Sequence, residues 1–393
     1  MSARAPKGAG TIRKKTVTRR GKQYEYWEAR YTSGFDPGTG KQVQRSITGK
    51  TQKEVSQKLK AATAAIHSGA YTPPSKRTLR QWLTEWEKTY FTDIKPRTVE
   101  IYTHNIDAFI LPALGAVRLD TLGTPAIQQF YNTLTDEREL SAATVKNVHS
   151  VLHKALQKAV ELGYIRTNPA DLCTLPKAQR PDIHPLDEKE ISAFLRAIRG
   201  SRYELFFTVA LFTGMRKSEL IGLKWDSINF KAGTISICRQ LEPLNSDKLR
   251  GYAFETPKSG KPRTITPAAS VMALLKRWKS EQAQQRLRAG ELWTDNGLVF
   301  TNEIGDHYIH ATITNHFKEI VTGIGRPDVR FHDLRHSYAV AALRAGDDVK
   351  TVQESLGHAS AAFTLDIYGH VTEQMKQESA ARMDAFIKSV ASV

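Results

Sequence analysis

The sequence has 393 residues, 40% hydrophobic and 25% charged, an ordinary balance for a soluble globular protein and enough chain for two or three domains. Its formal net charge of +17 at pH 7 points to a polyanionic partner, nucleic acid ahead of an anionic membrane surface. No apolar run approaches the roughly 18 to 20 residues of a membrane span, no apolar segment follows the basic start as a secretory leader requires, and Cys173 and Cys238 supply neither a disulfide framework nor a zinc spacing, so a reducing cytoplasm is expected.

Residues 1–10 are small and basic and are expected to order only on binding. Residues 1–70 hold fifteen Lys and Arg against four Asp and Glu, so most of the excess charge sits in less than a fifth of the chain. The stretch YEYWEARYTSGFDPGTGKQVQRSITG reads as strands, with Tyr24, Tyr26 and Ala29 or Tyr31 alternating with polar neighbours and DPGTGK as a turn. KTQKEVSQKLKAATAAIHSGA then reads as a helix, capped at Thr51 and carrying Val55, Leu59 and Ala62 on one face. A small basic sheet with one helix makes a compact DNA-binding unit.

YTPPSKR, residues 71–77, reads as a linker, because paired prolines cannot continue a helix. Residues 78–175 read as helical throughout. Leu79, Trp82, Trp86 and Tyr90 share one face of the first helix, a second starts at Pro96 and stops near Gly115, and two more open at a capping Thr124 and Ser141. The proline-rich segment 166–185 marks a second boundary. From residue 186 the pattern is mixed: the helices DEKEISAFLRAIRG and RYELFFTVALFTGMRKSELIGLKW, the strands GTISIC and KPRTITP, then mostly helix. The predicted fold is therefore multidomain, mainly α with small β elements, divided as 1–70, 78–175 and 186–393.

Several residues in the last segment invite chemistry. Arg216 in TGMRKSEL follows a very apolar helix broken at Gly214. Lys258 in ETPKSGKPRTITP sits in a glycine-containing hairpin between two short strands, where a mobile point charge can reach a phosphate. His332 and Arg335 in FHDLRHS are three apart and share a helix face, with His336 on another. His358 follows a glycine in LGHAS, and Tyr368 comes ten residues later. Each alone reads as readily as a surface salt bridge, a solvated turn, a helix-start residue or a core tyrosine. Together they supply what metal-free phosphodiester cleavage needs. Arginines bind the non-bridging oxygens and stabilise the charge that builds on phosphorus. A histidine takes the tyrosine proton or donates a hydrogen bond, a lysine protonates the departing 5′ oxygen, and a tyrosine hydroxyl attacks phosphorus.

The order and spacing of TGMRKSE, PKSGKPR, HDLRH, LGH and the later tyrosine resemble the tyrosine recombinases, the phage-integrase family, and the resemblance extends over essentially the whole chain. It implies Arg216, Lys258, His332, Arg335 and His358 as catalytic residues, Tyr368 as nucleophile and Glu219 as a supporting acid. Residues 78–175 are similar to the family's helical, SAM-like core-binding domain, and residues 186–393 to its mixed α/β catalytic domain. Residues 1–70 are similar to the arm-binding domain, a three-stranded sheet with a helix, found in integrases of temperate phages and conjugative transposons. Candidates there for reading DNA are Tyr24, Tyr26, Trp27, Arg30 and Arg45, since strands can enter the major groove.

The implied reaction runs through a 3′-phosphotyrosyl bond and a Holliday junction and needs no cofactor or metal. The implied partners are double-stranded DNA at core-type and arm-type attachment sites, three further copies of the chain, an excisionase and a DNA-bending host factor. The implied location is a bacterial cytoplasm, at the nucleoid when DNA is bound. Met375, Met383, Phe386, Ile387 and Val390 form an apolar helical stripe that packs on a neighbouring subunit or on its own domain. Three competing readings remain: a type IB topoisomerase, which shares the chemistry but relaxes DNA without choosing sites; a non-catalytic DNA-binding repressor; and, more distantly, a peripheral membrane protein.

Overall fold

The structure, a computed structural model, describes residues 11–19, 22–35, 39–67, 77–177, 183, 185–246, 249–257, 260–357 and 380–391. The expected disorder of residues 1–10 and nearly all of the linker at 71–77 lie outside these. The chain divides into two units, residues 1–179 and 180–393.

In the first unit, β1 (Thr11–Arg19), β2 (Lys22–Phe35) and β3 (Gln42–Gly49) form an antiparallel sheet in chain order. Strand alternation sorts its two faces. Ile12, Ala29 and Ile47 stand opposite one another across the sheet. They pack with Tyr31 and with Val55, Leu59 and Ala62 of α1 (Gln52–His67). Thr51 caps this helix as expected, accepting the Glu54 N–H at 3.2 Å. β1 escapes a pattern search because Arg13, Lys14, Lys15 and Arg19 interrupt its alternation; its pairing with β2 makes it a strand.

A second core in this unit is built by α2 (Leu79–Tyr90), α3 (Pro96–Asn105), α4 (Leu111–Leu114), α5 (Thr124–Asp136) and α6 (Ala142–Glu161). Leu79, Trp82 and Trp86 are buried as their spacing predicts, Tyr90 is half-buried, and the Trp82 indole donates to the Ala155 carbonyl at 2.9 Å. The helix expected from Pro96 to Gly115 passes through a π-helical turn at Ile106–Ile110. The cause is Pro112, which has no N–H for the Ala108 carbonyl; Arg138 donates to that oxygen instead, at 3.3 Å. Ser141 caps α6. Thr124 does not cap α5: it is the first helical residue, Gly123 holds the cap position, and the threonine hydroxyl donates to the Pro169 carbonyl at 2.7 Å.

The second unit begins with α7 (Glu188–Ile198), α8 (Glu204–Thr213) and α9 (Lys217–Ile221). The single helix expected over 202–225 is thus two. Gly214 ends α8 in the left-handed region at φ 63°, and a Cβ there would meet Tyr338 at 2.6 Å and Leu356 at 2.7 Å. The strands follow as β4 (Ile228–Asn229), β5 (Thr234–Ile237), β6 (Gln240–Ser246), β7 (Leu249–Glu255) and β8 (Arg263–Ile265). The two strands expected from sequence, β5 and β8, pair with each other, and between them lies a β6–β7 hairpin the sequence did not reveal.

α10 (Ala269–Ala289), α11 (His310–Gly323), α12 (Asp333–Arg344) and α13 (Val349–Leu356) complete the unit. α12 packs on α8 and α13, and an aromatic cluster with Phe194, Phe206, Phe207, Phe300 and Phe317 fills the core. Residues 380–391 are helical, and Met383, Phe386, Ile387 and Val390 are each more than half exposed, so they do not pack on the described part of their own unit; Met375 lies outside the described residues. No helix among the described residues is long and apolar enough to cross a membrane.

Candidate active site

The break at Gly214 places Arg216 at the N-terminus of α9. Its backbone N–H donates to Glu219 Oε2 at 2.9 Å and its guanidinium to Glu219 Oε1 at 2.8 Å. Glu219 is fully buried. A second guanidinium meets it from β8: Arg263 Nη1 lies 2.8 Å from Oε1 and Nη2 2.7 Å from Oε2. Burial by itself raises the Glu219 pKa; the hydrogen bonds and charge of Arg263, with the N–H and charge of Arg216, outweigh it and hold the carboxyl at about 2. One carboxylate under two guanidiniums leaves a net positive corner, and the Arg216 side chain remains 21% exposed there.

Arg335, on α12, is 2% exposed. Its Nη1 donates to the Gly214 carbonyl at 2.8 Å and its Nη2 to the Leu356 carbonyl. This one side chain ties the turn before Arg216 to the C-terminus of α13. His332 stands at the N-cap position of α12, makes no capping hydrogen bond there and is exposed on one edge of its ring. Its pKa is pushed down to about 4, first by the protein packed around the ring and then by the charges of His336, Arg335 and Arg216. The exposed edge moderates the first cause; the cations act in the same direction, so the imidazole is neutral at pH 7. His336 is a correction to the sequence reading: at i+4 it shares the face of His332, with the rings 5.2 Å apart and edge-to-face.

Gly357, at φ 65°, turns the chain out of α13 immediately before His358. The site as described therefore brings together Arg216, Glu219, His332 and Arg335. Lys258, His358 and Tyr368 lie outside the described residues; the Gly260 N–H donates to the Pro257 carbonyl at 2.8 Å. Among the described residues no group of three or more His, Cys, Asp or Glu could hold a metal ion. Chemically, the arrangement offers cations for a phosphate and a neutral imidazole for a proton. Arg263 is the residue that sequence reasoning missed. Its signal was there: it lies two residues before buried Ile265 on the same strand, and a charge on the apolar face of a strand needs a partner.

On the N-terminal sheet the five candidate DNA readers divide. Arg13 stands opposite Glu28, Lys15 opposite Tyr26 and Val17 opposite Tyr24, so Tyr24, Tyr26 and Arg30 lie on the face away from α1, with Arg13 and Lys15. Trp27 packs into the core beneath α1, and Arg45, opposite Tyr31, is on that same side. Buried Glu28 sits among the cations, accepting from Arg13 at 2.8 Å and Lys15 at 3.4 Å and 3.7 Å from Arg30. The Arg13 hydrogen bond is the main reason its pKa falls below the usual carboxylate value.

This fold has close counterparts. A Tn1549 transposon integrase fragment in complex with a circular intermediate DNA superposes with a TM-score of 0.65 at 21% identity, over 78% of this chain and 99% of that one. A lambda integrase tetramer bound to a Holliday junction gives 0.58 at 23% identity, over 88% and 93%. The fold is that of the tyrosine recombinases, enzymes that cleave and rejoin DNA.

In sequence, residues 184–375 match the phage integrase family and residues 78–135 the phage integrase N-terminal SAM-like domain. A tyrosine recombinase XerC-like protein of Caldanaerobacter subterraneus subsp. tengcongensis is 28% identical over 384 residues, 92% of this chain and 97% of that protein. The ICEBs1 integrase of Bacillus subtilis is 25% identical over 374 residues, 89% and 95%. The chain belongs to the phage integrase family and is a site-specific recombinase.

Proposed function

We propose that the protein integrates and excises a mobile element, a temperate phage or a conjugative transposon, with Tyr368 as the nucleophile. The tyrosine oxygen attacks the scissile phosphorus, a 3′-phosphotyrosyl bond forms and the 5′ oxygen leaves, protonated by Lys258. Arg216, which is partly exposed, meets the non-bridging oxygens, and Arg335, buried behind it, adds positive charge to the phosphate site. His332, neutral at pH 7, takes the tyrosine proton or holds it in a hydrogen bond, and His358 contributes a further hydrogen bond to the phosphate. The 5′ hydroxyl of a partner duplex then attacks the phosphotyrosyl bond, releasing Tyr368. Two rounds pass through a Holliday junction. Because the energy of the broken bond is retained, the reaction needs no cofactor.

The observation that carries this reading is the meeting of the Arg216, His332 and Arg335 segments at the point where α13 hands the chain on to His358. Residues 186–393 act as the catalytic domain, 78–175 as the core-binding domain and 1–70 as the arm-binding domain. Four copies assemble on two DNA sites, joined through the exposed stripe of residues 380–391, and an excisionase and a bending protein set direction. The work is done in a bacterial cytoplasm, at the nucleoid. A nicked duplex carrying the attachment site, or a random-sequence pool of such duplexes, tests the proposal. Wild type traps a covalent adduct that maps to Tyr368 by peptide mass, and Tyr368→Phe traps none. An adduct at another residue, or no adduct despite tight binding to a verified cognate site, overturns it.

A further inference from the structure

Arg263 makes more connections than any carrier of a simple salt bridge needs. Its two terminal nitrogens take both oxygens of Glu219, at 2.8 and 2.7 Å, and its Nε donates to the Ser355 carbonyl at 2.9 Å. The side chain is 9% exposed. Its aliphatic part lies so close to Gly357 that a Cβ on that glycine would meet Arg263 Cδ at 2.9 Å. Glu219 passes the restraint to Arg216, whose guanidinium shares its Oε1. The Ser355 carbonyl passes it to the turn from which the chain leaves for His358.

We propose that Arg263 is a positioning residue for the cleavage step. It reaches no substrate itself. From β8, the strand that follows Lys258 in sequence, it sets both the fork of Arg216 and the exit of α13. The inference rests on the phosphate-binding roles given above to Arg216 and His358. Geometry explains why an arginine is required. A lysine at 263 supplies one charged point for Glu219 but cannot hold two carboxylate oxygens and a carbonyl together. Burial explains the cost of losing it: a carboxylate with no exposure keeps its charge only while its donors remain, and a Glu219 that loses Arg263 draws Arg216 inward, away from the phosphate.

The test compares Arg263→Lys with wild type on nicked duplexes, one with an ordinary scissile phosphate and one with a neutral methylphosphonate there. DNA affinity and melting temperature are measured alongside. The expected result on the phosphate is cleavage slower by roughly 10- to 100-fold, the scale of an ångström-sized misplacement, with DNA affinity retained. On the methylphosphonate, which lacks the charge Arg216 would neutralise, the gap between variant and wild type narrows. Equal gaps on the two substrates, or cleavage at the wild-type rate, overturn the inference. If Arg263→Lys does not fold, Glu219→Gln, which loosens the same fork from the other side, goes through the same comparison and is held to the same outcomes. Absence of any adduct from wild type instead overturns the parent reading of Tyr368 and the phosphate site.

Discussion

Arg263 and Arg335 hold adjacent carbonyls at the end of α13, those of Ser355 and Leu356. One guanidinium comes from a strand and the other from a helix. The last turn of a helix carries partial negative charge on carbonyls with no partner of their own, and two buried cations answer it here. Each reaches on to the Arg216 segment, Arg263 through Glu219 and Arg335 through the Gly214 carbonyl. Three pieces of chain far apart in sequence are thereby fixed to one another by two side chains.

Arg216→Lys is expected to fold and to cleave poorly. The backbone N–H of residue 216 still meets Glu219, so the start of α9 survives. The loss falls on the side chain, where a point charge replaces a planar fork that must serve Glu219 and a phosphate at once. Single-turnover cleavage is expected to drop by roughly 100-fold, in line with removal of one transition-state donor. Cleavage within a few-fold of wild type would remove Arg216 from the site.

Acid is expected to weaken the fold in two separate windows. His310 is buried, its Nε2 lies 2.8 Å from the Leu241 carbonyl, and burial drives its pKa down to about 4. With an ordinary value near 6.5 in the unfolded chain, the unfolded state binds more protons between these limits, so the contribution is complete above 6.5 and lost as pH falls towards 4. Glu219 is lowered to about 2 against an ordinary 4.5, so its contribution is lost only between 4.5 and 2. His332, also lowered to about 4, adds to the upper window. Thermal melts across pH are expected to show both declines, and His310→Gln to make the upper one shallower without touching the lower. An unchanged upper slope in that variant would refute the assignment.

What could be read from the sequence follows from where the signals are local. Apolar spacing found the Leu79–Trp82–Trp86 face, and cap chemistry found Thr51 and Ser141, because those signals need only a few neighbouring residues. The motifs drew attention to Arg216, His332 and Arg335 before any geometry. Arg263 and the β6–β7 hairpin stayed hidden, and β1 entered only through the family resemblance, which implied a three-stranded sheet. Each is defined by partners distant in the chain: Glu219 and Ser355 for the arginine, cross-strand pairing for the others. The π turn was hidden for a related reason, since Pro112 announces a broken hydrogen bond but not that Arg138 will repair it.

Gly214→Ala is expected to cost about 2–4 kcal/mol, combining a left-handed backbone with overpacking. The added Cβ would meet a tyrosine ring at 2.6 Å and Leu356 at 2.7 Å. Since Leu356 is also an Arg335 partner, cleavage is expected to fall more than the loss of folded protein explains. Denaturant melts with parallel cleavage assays check both parts. A melt unchanged from wild type would show that the α8–α9 turn tolerates a side chain.

The N-terminal sheet offers a prediction that depends on which face a residue occupies. Arg13, Lys15 and Arg30 lie away from α1, gathered around Glu28, while Arg45 lies on the side that α1 covers. If the open face meets DNA, Arg13→Ala and Arg30→Ala each weaken binding to arm-type sites and lower the slope of log affinity against log salt by about 0.9, the share of one phosphate contact. Arg45→Ala leaves that slope alone. Glu28→Gln separates holding the cations from repelling the phosphates: the cations keep a hydrogen-bond acceptor but lose their counter-charge, so non-specific affinity is expected to rise while discrimination between arm-type and random DNA falls. Affinities measured across a salt series with both DNAs decide the matter. Equal slope changes from Arg45→Ala and Arg30→Ala would mean that the sheet's two faces are not divided between core and DNA.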